Sequence, residues 1–184
     1  MNIGLTQRIL HYNNIAYDCL EHGWYNLLND HTLFNIPNKI DQDYENLVSN
    51  LDFVIFTGGD ASPHRLICET KLLTQCYLQY KPVLGVCHGA FLINELEQGA
   101  NGHIEKHTNT AHDLVLDAEH FTVNSYHNTQ LKELGKDLSA IAYAHDGSIE
   151  GYRHKNRLLW GIVWHPERMQ QAVLPKEVKR MLSL

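Results

Sequence analysis

Two stretches constrain the fold more than any others: DFVIFTGGD at 52–60 and PVLGVC at 82–87 are nearly unbroken apolar runs that meet glycines at a turn. A strand with one wet face alternates apolar and polar residues. A run that is apolar on both sides predicts a strand covered on both faces, as in a parallel sheet between helix layers. Helical segments are expected after each, at about 64–80 and at 88–99, the second stopped by Gly99. Upstream, NIGLTQ at 2–7 reads as a strand, and Tyr17, Leu20, Trp24, Leu27 and Leu28 fall at helical spacing through residue 29. TLFNIP at 32–37 reads as a strand ended by Pro37, and DYENLVSN at 43–50 as a short helix. Four βα units in the first half predict an α/β fold with a mostly parallel central sheet flanked by helices.

The second half changes character. Shorter β segments at 113–116, 119–123, 138–144, 148–152 and 158–164 are expected as hairpins or edge strands, with a closing amphipathic helix at 175–184. No repeat, low-complexity tract or linker interrupts the chain, so residues 1–184 are expected to form one domain, long enough to bury a core without disulfides or metals.

Charge narrows the partners. The net charge of -6 comes from scattered Asp and Glu, and no run of Lys or Arg could track a phosphate backbone, so nucleic acid is not an expected partner. MNIGLTQRIL lacks the zones of a secretory signal, and no apolar stretch approaches the roughly 20 residues that span a bilayer. A cytoplasmic location without membrane contact is expected. Cys19, Cys68, Cys76 and Cys87 have neither C-x-x-C spacing nor a dense framework and read as free thiols, three of them simply packed.

The fourth cysteine is different. Gly85-Val86-Cys87-His88-Gly89 has the form G-x-C-x-G where an apolar strand gives way to a helix, a nucleophile elbow with sulfur in place of oxygen. The glycines are needed because the chain turns too sharply to admit side chains beside the nucleophile, which itself takes a strained conformation. At a helix N-terminus, unpaired N–H groups and the macrodipole favour thiolate over thiol, and the N–H of His88 faces an oxyanion. A base is required. Trp164-His165-Pro166-Glu167 follows the apolar run LLWGIVW, which puts His165 at a carboxyl-terminal strand edge, the rim on which open α/β sheets carry their sites. Glu167, two residues on across a proline, can accept a hydrogen bond from the ring and hold it. Any one of 13 histidines is more often a surface or core side chain, but the pairing with the elbow reverses that weighting.

GVCHG with a downstream WHPE resembles the class I glutamine amidotransferase superfamily, whose fold is flavodoxin-like. TGGDASP at 57–63, VNSYHNTQL at 123–131 and HDGSIEGY at 145–152 are similar to segments of its γ-glutamyl hydrolase branch, peptidase family C26. The N-terminal GLTQR with Asp18 and Trp24, and Arg65 with Glu69, resemble members found in bacterial capsule and surface-polysaccharide clusters, one of which hydrolyses a γ-glutamyl nucleotide phosphoramidate.

The resemblance implies that Cys87 attacks a γ-glutamyl carbonyl to form a thioester, that His165 protonates the leaving nitrogen, and that Glu167 orients His165. It implies an oxyanion hole from the backbone N–H of His88 and one from Gly58-Gly59, and a wall for the glutamyl α-carboxylate from Asn124, Ser125, Tyr126 and His127. A polar turn is the plain alternative for that last segment. Asp60 and Pro63 are expected to shape their loop, and Arg65 with Glu69 reads equally well as a solvated i,i+4 ion pair. No cofactor is implied.

The sequence departs from the family pattern G-x-C-x-G-x-Q at Phe91, which cannot donate the hydrogen bond that the Gln supplies. His88 stands where Arg or Leu is commoner; it either acts on an anionic substrate or caps the helix. His103, His107, His112, His120 and His127 invite a metal, yet they fall across a loop and short strands without helical H-x3-H spacing, and no metal is expected. A small-molecule γ-glutamyl substrate is the expected ligand. Two other readings stand beside the hydrolase: a glutaminase subunit that hands ammonia to a synthase partner, and a catalytically silent binding protein on the same fold. Neither oligomeric state nor the group on the glutamyl nitrogen is written in the sequence.

Overall fold

A computed structural model describes residues 1–184. The strands are β1 (Asn2–Thr6), β2 (Arg8–Tyr12), β3 (Ile15–Cys19), β4 (Thr32–Ile36), β5 (Phe53–Phe56), β6 (Val83–Val86), β7 (Ala100–His103), β8 (Thr108–Leu116), β9 (Glu119–Tyr126), β10 (Thr129–Glu133), β11 (Leu138–Ala144), β12 (Ile149–His154) and β13 (Leu159–Ile162). The helices are α1 (His22–Leu27), α2 (Tyr44–Ser49), α3 (Pro63–Leu78), α4 (His88–Leu96) and α5 (Lys176–Met181).

Eleven strands form one sheet. Its parallel core runs β4-β1-β5-β6-β13, and from β13 onward the order β12-β11-β8-β9 is antiparallel, with β10 bridging β12 and β7. The fold is the expected α/β architecture with added antiparallel strands.

Alternation along the parallel strands explains why they read as continuous apolar runs. In β5, Phe53 and Ile55 enter one core cluster while Val54 and Phe56 enter another across the sheet. Strand β6 divides likewise, Leu84 and Val86 against Val83. The first cluster is closed by Trp24, Leu28, Val178 and Leu182 of the α1 and α5 regions, the second by Val48, Cys68, Leu72, Leu73 and Ile93 of α2, α3 and α4. Each fully buried Leu, Ile or Phe contributes about 1.5–3 kcal/mol, so exclusion of water holds helices against both faces.

Local chemistry sets the helix starts. Ser62 caps α3 by accepting from the Arg65 N–H at 3.2 Å with Pro63 in the first turn, and Asp43 caps α2 through the Asn46 N–H at 3.0 Å.

One expected element is corrected. The helix expected from Tyr17 to residue 29 begins only at His22, because residues 8–19 form the β2–β3 hairpin. Its two-residue turn is Asn13-Asn14 at φ 50° and 62°, and asparagine tolerates the left-handed region that this tight turn needs at both positions. Strands β7 and β10 were also not legible as periodic segments; they are short and pair with each other rather than burying a full face.

Candidate active site

Strands β1, β5, β6 and β13 all end on one rim, which carries a cleft of about 460 Å³ lined by Arg8, Gly59, Cys87, Tyr126, His127 and His165 among others. Cys87 joins β6 to α4 at φ 50°, ψ -106°, a strained conformation for a residue with a side chain. Its N–H donates to Ile162 O at 2.9 Å, which anchors the turn to β13. The flanking glycines are required by space. A Cβ on Gly89 would sit 2.2 Å from Phe56 O, and one on Gly85 would sit 2.8 Å from the Ala90 nitrogen.

His165 follows β13 and is buried. Its Nδ1 lies 2.7 Å from Glu167 Oε1, so the carboxylate accepts the Nδ1 proton and leaves Nε2 on the cleft side. Asn124 on β9 brackets the same residue: its amide oxygen accepts the His165 N–H at 2.9 Å, and its NH₂ donates to His165 O at 2.8 Å. Gly58, after β5, touches both halves of the site. A Cβ there would meet His165 Cε1 at 2.5 Å and Cys87 Cβ at 3.4 Å, so the strand-end backbone lies directly against nucleophile and imidazole. Burial pulls the His165 imidazole toward neutrality, but the Cys87 thiol and the Glu167 carboxylate beside it outweigh that and raise its pKa above 6.5.

Arg65 and Glu69 are not a solvated pair. Both are buried, Arg65 completely, and Arg65 Nε donates to Glu69 Oε1 at 3.0 Å. The guanidinium also donates to the carbonyls of Thr57 at 2.7 Å and of Gly58 and Asp60 at 3.3 Å, which fixes the glycine loop. Thr6 donates to the same carboxylate at 2.8 Å. His88 completes the set, with Nε2 2.7 Å from Glu69 Oε2. The His88 side chain therefore borders the cleft but does not cap α4; its ring is tied to Glu69 of α3.

The 124–127 segment is strand rather than turn up to Tyr126. Tyr126 is exposed on the cleft and its ring stands edge-on to His165 with centroids 5.7 Å apart. Ser125 is fully buried and donates to His107 O, and His127 is buried with only one edge reaching the cleft, its ring near Phe91. Phe91 itself lines the cleft, so the Gln position of the family is apolar here. The histidines expected to be scattered are not all so: His107, His112 and His127 gather around Glu150.

Three features escaped sequence reading. Asn124 clamps His165 across the sheet, Gly23 lets α1 approach so closely that a Cβ would lie 2.2 Å from Glu167 O, and Arg8 with Arg168 shares Glu21 at the cleft mouth. Each joins residues far apart in the chain, and no local pattern marks them.

A G-x-C-x-G elbow facing a His-Glu pair on the carboxyl rim of this mixed sheet defines a class I glutamine amidotransferase-like protein. The fold agrees with solved structures: a crystal structure of a putative GMP synthase component from Thermoplasma acidophilum superposes with a TM-score of 0.77 at 19% identity, covering 99% of this chain and 92% of that one. The Peptidase C26 family profile matches residues 95–167. A γ-glutamyl-CDP-amidate hydrolase of Campylobacter jejuni is 30% identical, with 91% of this chain and 90% of that protein aligned. A glutamine-hydrolysing GMP synthase component from Picrophilus torridus is 27% identical over 72% of this chain and 74% of its own. Within the class I glutamine amidotransferase-like superfamily, this chain belongs to the peptidase C26 family.

Proposed function

We propose that this chain, as one domain spanning 1–184 and in a reducing cytoplasm suited to its free thiols, hydrolyses the C–N bond of a γ-glutamyl amide through a thioester on Cys87. The observation that carries the reading is the convergence on Gly58: nucleophile and imidazole both lie against its backbone, and the imidazole is held from behind by Glu167.

The Cys87 thiolate adds to the γ-carbonyl, forming the C–S bond, while the charge passes to the carbonyl oxygen. That oxyanion is received by the N–H of His88 at the start of α4 and by the N–H of Gly59. Arg65 holds the Gly58 carbonyl, and in a trans peptide the N–H of the next residue points the opposite way, away from Arg65. His165, protonated, gives its proton to the departing nitrogen as the C–N bond breaks. Water then attacks the thioester, His165 takes its proton, and glutamate leaves with Cys87 restored. Tyr126, with the backbone of Ser125 and His127, is the wall proposed for the glutamyl head group.

The cleft mouth favours an anionic leaving group. Arg8 and Arg168 both pair with Glu21 there and offer two guanidinium groups to an anion, with Glu167 and Asp60 as the neighbouring acids. The C. jejuni relative, named for a CDP-amidate, fits that preference; a role in polysaccharide biosynthesis is proposed on the N-terminal resemblance alone. The alternative is a glutaminase subunit that passes ammonia to a synthase, favoured by the similarity to GMP synthase components.

Glutamate release by the isolated chain from a panel of γ-glutamyl amides tests the reading. Turnover without a second protein, faster for phosphorylated leaving groups and lost in Cys87→Ala, is the expected result. Activity that appears only with a partner synthase would establish the alternative.

A further inference from the structure

His107, His127 and Glu150 are buried together beneath the cleft wall, on the loop before β8, just after β9, and on β12. Their hydrogen bonds fix where the protons sit. His107 Nε2 is 2.9 Å from the Asp146 carboxylate, and His127 Nδ1 is 2.8 Å from the Thr129 carbonyl. Both partners accept only, so those two nitrogens carry the ring protons. That leaves the other nitrogen of each ring, His107 Nδ1 and His127 Nε2, as the one without a partner. Each faces a Glu150 oxygen at 3.5 Å.

His107 Nδ1, His127 Nε2 and Glu150 Oε2 are thus polar atoms buried together without hydrogen-bond partners, and burial of such a set without compensation is costly. A cation between them removes that cost. At Zn–N and Zn–O distances near 2.0–2.1 Å, donor atoms in a tetrahedron lie about 3.3 Å apart. His107 Nδ1 is 3.5 Å from Glu150 Oε1 and His127 Nε2 is 3.5 Å from Oε2, and with one donor atom from each residue inside 4.8 Å of the others, closing on one ion needs a contraction of at most about 1.5 Å. His112 stands beside them, its Nε2 3.5 Å from Glu150 Oε2 and unpartnered. The outer contacts are those of ligating histidines, which typically donate their second N–H to a carboxylate or a carbonyl.

We propose that His107, His127 and Glu150, with His112 beside them, bind a divalent transition metal of the zinc class. The ion joins β9 to β12 and so rigidifies Tyr126 and His127, the wall of the cleft. It lies outside the Cys87, His165 and Glu167 set and takes no part in the bond-breaking steps.

The test uses the full chain without a histidine tag, stripped with chelator and titrated with Co²⁺ and then Zn²⁺. Expected are one Co²⁺ per chain with the visible absorption of a four- or five-coordinate site, its displacement by Zn²⁺, and a higher Tm with metal. His127→Ala and Glu150→Gln should lose binding by about 100-fold or more, and Asp146→Asn, at an exposed position that spares folding, should weaken it about 10-fold. His103→Ala, His120→Ala and Cys87→Ala should bind as the parent does. No stoichiometric binding to the parent chain overturns the proposal, as does binding unchanged by both Asp146→Asn and His127→Ala, or binding that disappears with Cys87→Ala.

Discussion

Nε2 of His88 lies 2.7 Å from Oε2 of Glu69, so the residue following Cys87 is tied to the helix whose Arg65 holds the Thr57 and Gly58 carbonyls. The nucleophile turn and the glycine loop are two arms of one buried network. Replacing Glu69 by Gln leaves Arg65 buried without its countercharge, and a stability loss of about 3–5 kcal/mol is expected in chemical denaturation.

That network also has a pH signature. Burial disfavours the Glu69 carboxylate, but His88, Arg65 and Thr6 more than offset this and hold its pKa below 4.5. A depressed folded pKa contributes stability that is present above the unfolded value and lost as pH falls through the folded one. Stability, followed by denaturant titration across pH, should therefore decline as pH drops below 4.5, with a shallower slope in Glu69→Gln.

Two glycine variants separate site from scaffold. In Gly58→Ala the new methyl meets Cε1 of the buried His165 ring, which Glu167 holds in place, so turnover should fall by about 100-fold or more. In Gly89→Ala the methyl meets Phe56 O, a backbone atom that cannot move, and destabilisation of about 1–3 kcal/mol or more is expected. Thermal melts and steady-state rates on both variants check the contrast.

Glu167→Gln should retain the fold and lose on the order of 10⁴-fold in kcat, the scale seen when the group behind a catalytic histidine is neutralised. An amide NH₂ opposite Nδ1 forces the proton to Nε2, where it cannot serve as base. Removing the carboxylate also removes one of the two groups that raise the His165 pKa against burial, so the corresponding limb of the residual pH profile should move to lower pH.

Alkylation by iodoacetamide should mark Cys87 first. Cys68 and Cys76 are buried, and burial pushes the Cys76 thiol up to about 12. Cys19 is partly exposed, like Cys87, which makes it the internal control: comparable rates at the two would show that Cys87 is not activated.

The parallel core and the residues of the elbow were legible because burial on both faces and a sharp strand-to-helix turn leave local marks: VLGVC followed by HGA, and glycines where Phe56 and Ala90 approach. The His165-Glu167 pair was legible for the same reason, being two residues apart. What stayed hidden was tertiary. Arg65 and Glu69 at i,i+4 look alike whether solvated or sealed beneath the glycine loop. Asn124 reads as one polar residue in a polar segment until the sheet brings it to His165, and Tyr17 fits a helical period that the Asn13-Asn14 turn overrides. His107, His112 and His127 have no ligand spacing in sequence because β8 and β9 supply the proximity through their pairing.

The most direct measurement is the mass of the protein quenched in acid during turnover of a γ-glutamyl amide, followed by peptide mapping. The account predicts a glutamyl adduct confined to the Cys87 peptide, formed at the rate of leaving-group release and absent in Cys87→Ala. Undiminished glutamate release by Cys87→Ala, or an adduct on another residue, would contradict it.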